Sequence, residues 1–137
     1  MAAEVLYVRG ETLSGEVRGG ADIVSTSVLR ILKGCFGAEA VEEFYIDQKE
    51  PAPSRLLGLG RALAGRYPSY SSGVGQALSA RCAQGIKLLF VDQSVYALAC
   101  ADAKKAAPGI KCAVLFHNVE RNYYMRRALR AFRPHNL

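Results

Sequence analysis

The sequence predicts an α/β fold built on a parallel sheet, and three observations predict it. Four short apolar runs, over residues 5–8, 41–46, 86–91 and 110–116, are nearly continuous rather than alternating, as strands covered on both faces require. Stretches with helical periodicity separate them, which is the pattern of βαβ crossovers with helices on both faces of one sheet. Gly and Pro stand at the junctions, at Gly10, Gly34, Gly37, Pro108 and Gly109. The 137 residues, 50% apolar, fill one core but not two.

The first run, Val5-Leu6-Tyr7-Val8, is bounded by Arg9 and Gly10 and suits a doubly covered strand. After a Gly-punctuated loop, Val24, Val28, Ile31, Leu32 and Cys35 recur at helical spacing and predict an amphipathic helix that buries them, closed by Gly34 and Gly37. Residues 41–46 form a second strand ending at Asp47. Between residues 50 and 84 two helices are expected, one carrying Leu56, Leu59 and Leu63, the other Val74, Ala77, Leu78 and Cys82. Tyr67-Pro68-Ser69 breaks the chain between them. Residues 86–91 are the clearest strand, and an Ala-rich helix over 95–107 is stopped by Pro108-Gly109. After the fourth strand, Asn118 offers an N-cap to a helix whose Tyr124, Ala128, Leu129 and Phe132 share a face. The expected architecture is a three-layer, Rossmann-like parallel sheet of order 2-1-3-4, with a crevice where the strand order reverses.

Composition narrows the class. No low-complexity tract or apolar run of membrane length is present, and the opening MAAEVLYVRG lacks the basic region and apolar stretch of a signal peptide, so a cytoplasmic chain is expected. Five of the 18 basic residues, Arg121, Arg126, Arg127, Arg130 and Arg133, fall in one segment without an acid. The remainder is close to neutral, with 13 basic residues against 12 acidic. Such a segment is either a solvated helix face or a surface for phosphates, anionic lipid or an acidic partner. Cys35, Cys82, Cys100 and Cys112 have neither a C-x-x-C pair nor zinc-ligand spacing, so reduced and mostly buried thiols are expected, with no metal.

Residues 86–116, IKLLFVDQSVYALACADAKKAAPGIKCAVLF, and 117–129, HNVERNYYMRRAL, resemble the amino-terminal domain of bacterial family-four glycosyltransferases, the two-domain GT-B enzymes of capsular and other polysaccharide synthesis. In that family a strand ending in Asp and Ser feeds a helix, and the next strand ends in a His-Asn-Val-Glu-like motif before a Tyr-rich basic helix. Asp92, Ser94, His117, Asn118, Val119, Glu120, Tyr123 and Tyr124 stand in those places, and Gly19-Gly20 is similar to the family's glycine-rich first loop.

The resemblance implies the acceptor-side domain of a retaining glycosyltransferase, moving a sugar from a nucleotide-sugar donor to a polysaccharide or lipid-linked acceptor. On it, His117 is the catalytic candidate, Gly19 and Gly20 face the donor diphosphate, and Asp92, Ser94, Asn118 and Glu120 line the acceptor crevice. The residue types suit those roles, because glycine lets a phosphate approach backbone N–H groups at a helix start. A strand-end imidazole can donate to a group whose charge grows in the transition state. Each has a plainer role as well: a backbone-bonded His117, a helix-capping Asp92, a helix-dipole Glu120, an ordinary loop at Gly19-Gly20. The second domain that carries the nucleotide pocket in this family has no counterpart within residues 1–137, so the chain is expected to be a partial domain, inactive alone and a weak binder of nucleotide-sugars. No cofactor, metal or nucleic acid is implied, and Arg121–Arg133 would make a peripheral membrane contact at the inner face. The readings from other classes are a flavodoxin- or receiver-like binding module and a basic surface-binding adaptor. The first lacks paired acids after strand 1, where Arg9-Gly10 stand.

Overall fold

The computed structural model describes residues 3–10, 20–46 and 70–116. Val5–Arg9 forms β1, Gly20–Phe36 α1, Val41–Tyr45 β2, Ser72–Cys82 α2, Leu88–Val91 β3, Leu98–Ala106 α3 and Lys111–Val114 β4. The four strands make one parallel sheet of order β2-β1-β3-β4, the expected architecture. Val5 is in register with Val41 on one side and Leu88 on the other, and Leu88 with Lys111.

All five residues of β1 are buried, because the strand has a neighbour on each side and helices above and below. Val5 and Tyr7 face α1, where Leu29, Leu32 and Val41 complete a small apolar cluster. Leu6 and Val8 face the other way, into a larger cluster with Leu78 and Cys82 of α2, Leu89 and Val91 of β3, and Ala99 and Ala103 of α3. Ser71 caps α2, its Oγ accepting from the Val74 amide at 3.2 Å. The Tyr70 hydroxyl donates to Asp102 Oδ2 at 2.8 Å and ties the start of α2 to α3.

Several elements differ from their sequence-based expectation. α1 runs through Gly34 and stops at Gly37, whose φ of 93° is left-handed and open to glycine at little cost. Its buried residues are Ser25, Leu29 and Leu32, with Val28 packed at the margin, whereas Val24, Ile31 and Cys35 are exposed. The apolar arc of the helix is wider than the stripe the sheet covers, so the stripe that meets the sheet is chosen by the strand surface below it. On α2, Gly75 is buried in place of Ala77. The helix expected over 95–107 begins as a separate 3₁₀ turn at Ser94–Tyr96. Among the described residues all four cysteines are free, yet Cys35 lies exposed and only Cys82 is fully buried. Asp47, the helix carrying Leu56, Leu59 and Leu63, the break at residues 67–69 and the basic segment 121–133 lie outside the described residues. No helix among the described residues is long and apolar enough to cross a membrane.

Candidate functional site

In a sheet of this order the crossovers from β1 and β3 run in opposite directions, and the carboxyl ends of these two strands flank the crevice that results. Four side chains meet there. Tyr7 and Arg9 point to the α1 side of β1, and Asp92, the residue after β3, points to the same side one step beyond the Val8–Val91 pair. The fourth, Asp22, comes from the first turn of α1. Backbone bonds fix both strand ends: the Asp92 amide donates to the Val8 carbonyl and the Ile46 amide to the Arg9 carbonyl, each at 2.8 Å.

Asp92 is wholly buried, and its Oδ2 accepts from the Tyr7 hydroxyl. Burial first, and then the bond and charge of Asp92, push the Tyr7 phenol above its ordinary range, so it serves as a neutral donor. The Tyr7 ring stacks on Phe90 with centroids 6.0 Å apart, which holds the hydroxyl at the strand end. Arg9 is 4% exposed; its Nη2 donates to Asp22, and its Nε lies 3.6 Å from Asp92 Oδ2. Nε and Nη1 are buried and make no hydrogen bond among the described residues. Leaving a buried N–H without an acceptor costs about 1–3 kcal/mol, and more on a charged group.

The floor of this region is closed by a tight contact. A Cβ on Gly10, the residue after β1, would stand 2.8–2.9 Å from ring atoms of Tyr96, so only glycine lets the buried tyrosine of the Ser94–Tyr96 turn lie over the end of β1. At the opposite flank Gly20 opens α1; it is exposed, and among the described residues nothing stands within 4 Å of where its Cβ would be.

Of the residues singled out from the sequence, Gly20 and Asp92 thus lie at the crevice, one at its open side and the other beneath its surface. Ser94 is half-buried and starts the 3₁₀ turn, its carbonyl accepting from the Ala97 amide at 3.0 Å. Gly19, His117, Asn118 and Glu120 lie outside the described residues. Sequence reasoning passed over Arg9, Tyr7 and Asp22. The available signal was a charge two positions after Tyr7 on a strand with no exposed face, since a buried guanidinium demands acceptors. Burial pushes the Cys82 thiol up to about 11 and the Cys100 thiol up to about 12. No family model, curated protein or solved structure matches the chain.

Proposed function

We propose that the chain is the acceptor-side domain of a retaining glycosyltransferase, which moves a sugar from a nucleotide-activated donor to a polysaccharide or lipid-linked acceptor at the cytoplasmic face of the membrane. The observation that carries this reading is the switch point between β1 and β3, with the exposed, glycine-started end of α1 on its flank. Open α/β sheets bind ligands in such a crevice. A helix start offers unpaired N–H groups and the positive end of the dipole to a leaving diphosphate. The motif over residues 86–129 adds its support, through Asp92-Gln93-Ser94 after β3 and His117-Asn118-Val119-Glu120 after residue 116.

In this reading Gly19 and Gly20 face the diphosphate and His117 donates to a sugar hydroxyl or phosphate oxygen as the glycosidic bond to the leaving group lengthens. Ser94, Asn118 and Glu120 border the acceptor, and Asp92 fixes the crevice wall from beneath through Tyr7 and Arg9. The basic segment 121–133 brings the domain to an anionic surface bearing a lipid-linked acceptor. At ~1 kcal/mol for each basic residue near such a surface, five arginines suffice for peripheral attachment.

The test uses the complete polypeptide that contains this domain. Labelled UDP- and GDP-sugars are offered with lipid and polysaccharide acceptors, and the anomeric configuration of the product is read by NMR. Transfer with retention is expected. His117→Ala should lower kcat/KM by roughly 10² while leaving folding stability within ~1 kcal/mol. No transfer from any donor, or wild-type kinetics in the variant, overturns the reading.

A further inference from the structure

Arg9 is the one cation among the buried side chains of the described residues, and its surroundings are unusual in two respects. Two carboxylates, Asp22 and Asp92, share one guanidinium, and both take the edge formed by Nη2 and Nε. Among the described residues, Nη1 and Nε remain buried donors without a hydrogen-bonded acceptor. A tetrahedral oxyanion is the ligand that suits such a group, because its oxygens accept from several neighbouring N–H groups at once.

We propose that Arg9 and the first turn of α1 form a binding site for a phosphate-bearing ligand, and that Asp22 competes with a phosphate oxygen for the same guanidinium nitrogen. α1 is 17 residues long, so its amino end carries a developed dipole and amides that have no partner within the helix. Arg9 reaches that end from β1, as its bond to Asp22 in the first turn records. Among the described residues, nothing stands within 4 Å of where a Cβ on Gly20 would be, beside the same turn. The two carboxylates are not equivalent. Asp92 is 0% exposed and engaged by Tyr7, so it anchors the guanidinium; Asp22 is 22% exposed on the helix surface and is the one that can rotate into solvent. Exchange of Asp22 for a phosphate oxygen keeps two anions on Arg9 and turns the guanidinium towards the ligand. The pair is thus a gate: the aspartate holds Arg9 in place and sets the affinity at a level from which the ligand leaves readily.

The phosphate chemistry is read from Arg9 and α1; that its source is the diphosphate of a nucleotide-sugar rests on the function proposed above, and free phosphate or pyrophosphate shares the chemistry. The experiment is a titration of the chain with pyrophosphate, inorganic phosphate and UDP-sugar at constant ionic strength, followed by amide shifts of residues 20–23 in ¹⁵N–¹H spectra. Pyrophosphate should move those amides in the wild type. Asp22→Asn should tighten pyrophosphate binding roughly fivefold by removing the competing charge. Arg9→Gln should abolish it. If Arg9→Gln does not fold, the comparison of Asp22→Asn with wild type decides alone. Equal affinity in wild type and Asp22→Asn, or shifts confined to other residues, overturns the proposal and leaves Arg9–Asp22 as a structural pair. Displacement of pyrophosphate by UDP-sugar supports the donor as the source. In the complete polypeptide that contains this domain, pyrophosphate binding that UDP-sugar does not displace keeps the phosphate site and counts against the glycosyl-transfer reading.

Discussion

The two faces of the sheet are built from the same four strands and packed on opposite principles. Along the two central strands the face under α2 and α3 is apolar from end to end: Leu6, Val8, Leu89 and Val91 meet Leu78, Cys82, Ala99 and Ala103, and each of these is buried. The face under α1 changes character along the strands, from Val5 and Leu88 through stacked Tyr7 and Phe90 to Arg9 and Asp92. The buried polar side chains of the described residues, Arg9, Ser25 and Asp92, all belong to this second face. A buried charge network adds little net stability over apolar packing of the same volume, whereas breaking one is costly. One face therefore carries the stability of the domain, and the other gives up part of its apolar area to place charge at the carboxyl end of the sheet.

The contrast is broken most sharply from the apolar side. Leu89→Ala removes a fully buried side chain from the larger cluster and should cost about 3 kcal/mol in urea unfolding, within the roughly 2–5 kcal/mol range of such deletions. A loss below ~1 kcal/mol would mean that the apolar face is not where the stability resides. A smaller effect is expected from Tyr7→Phe, which keeps the ring on Phe90 and deletes the donor to Asp92, at roughly 1–2 kcal/mol.

That variant also sharpens the contrast through pH. The folded chain holds a proton on Tyr7 that the unfolded chain releases near pH 10, because burial and Asp92 raise the folded value. The associated stability is full below about pH 10 and is lost as the pH rises further, with a limiting slope of roughly 1.4 kcal/mol per pH unit. Tyr7→Phe should flatten this alkaline limb, and an unchanged limb would show that Tyr7 does not carry it. The smallest effect belongs to the half-exposed ion pairs at the rim. Burial raises the Glu43 carboxyl, but the bonds from Lys33 and Tyr45 outweigh it and hold the group below its ordinary value. Lys33→Ala should cost at most ~0.5 kcal/mol at neutral pH, less in high salt, and that loss should fade as the pH falls through the carboxylate range.

The central strand β1 was legible because residues covered on both faces must be apolar in unbroken runs, and such runs seldom arise in loops or on helices with a solvent face. The phase of α1 was not legible for a physical reason: Val24, Val28, Leu29, Ile31 and Leu32 spread over an arc wider than the stripe the sheet covers, so periodicity alone admits more than one stripe. Ser25 lies inside because Tyr7 stands beneath it, its hydroxyl 3.5 Å from the Ser25 carbonyl, and that neighbour comes from another element. The site divides in the same way. Gly20 and Asp92 were visible as a helix start and a strand end. Arg9 was hidden, because a charge at the end of a strand ordinarily reaches solvent and its burial depends on acceptors supplied from α1 and from beyond β3.

The central place of β1 has a consequence in time. The strand is paired on both sides, yet its partner on one side is made long after it: Tyr7 and Asp92 are 85 residues apart. At a synthesis rate of ~5–20 residues per second, β1 waits roughly 4–17 s for β3 to be added. Throughout that interval the edge of Val5-Leu6-Tyr7-Val8 that will meet β3 is an open template of backbone donors and acceptors, apolar on both faces, which is the composition that recruits foreign strands. Non-local parallel pairing is also slow to form once its partner is available. The strand that gives the finished sheet its centre is thus the segment that a nascent chain has most need to keep from its neighbours.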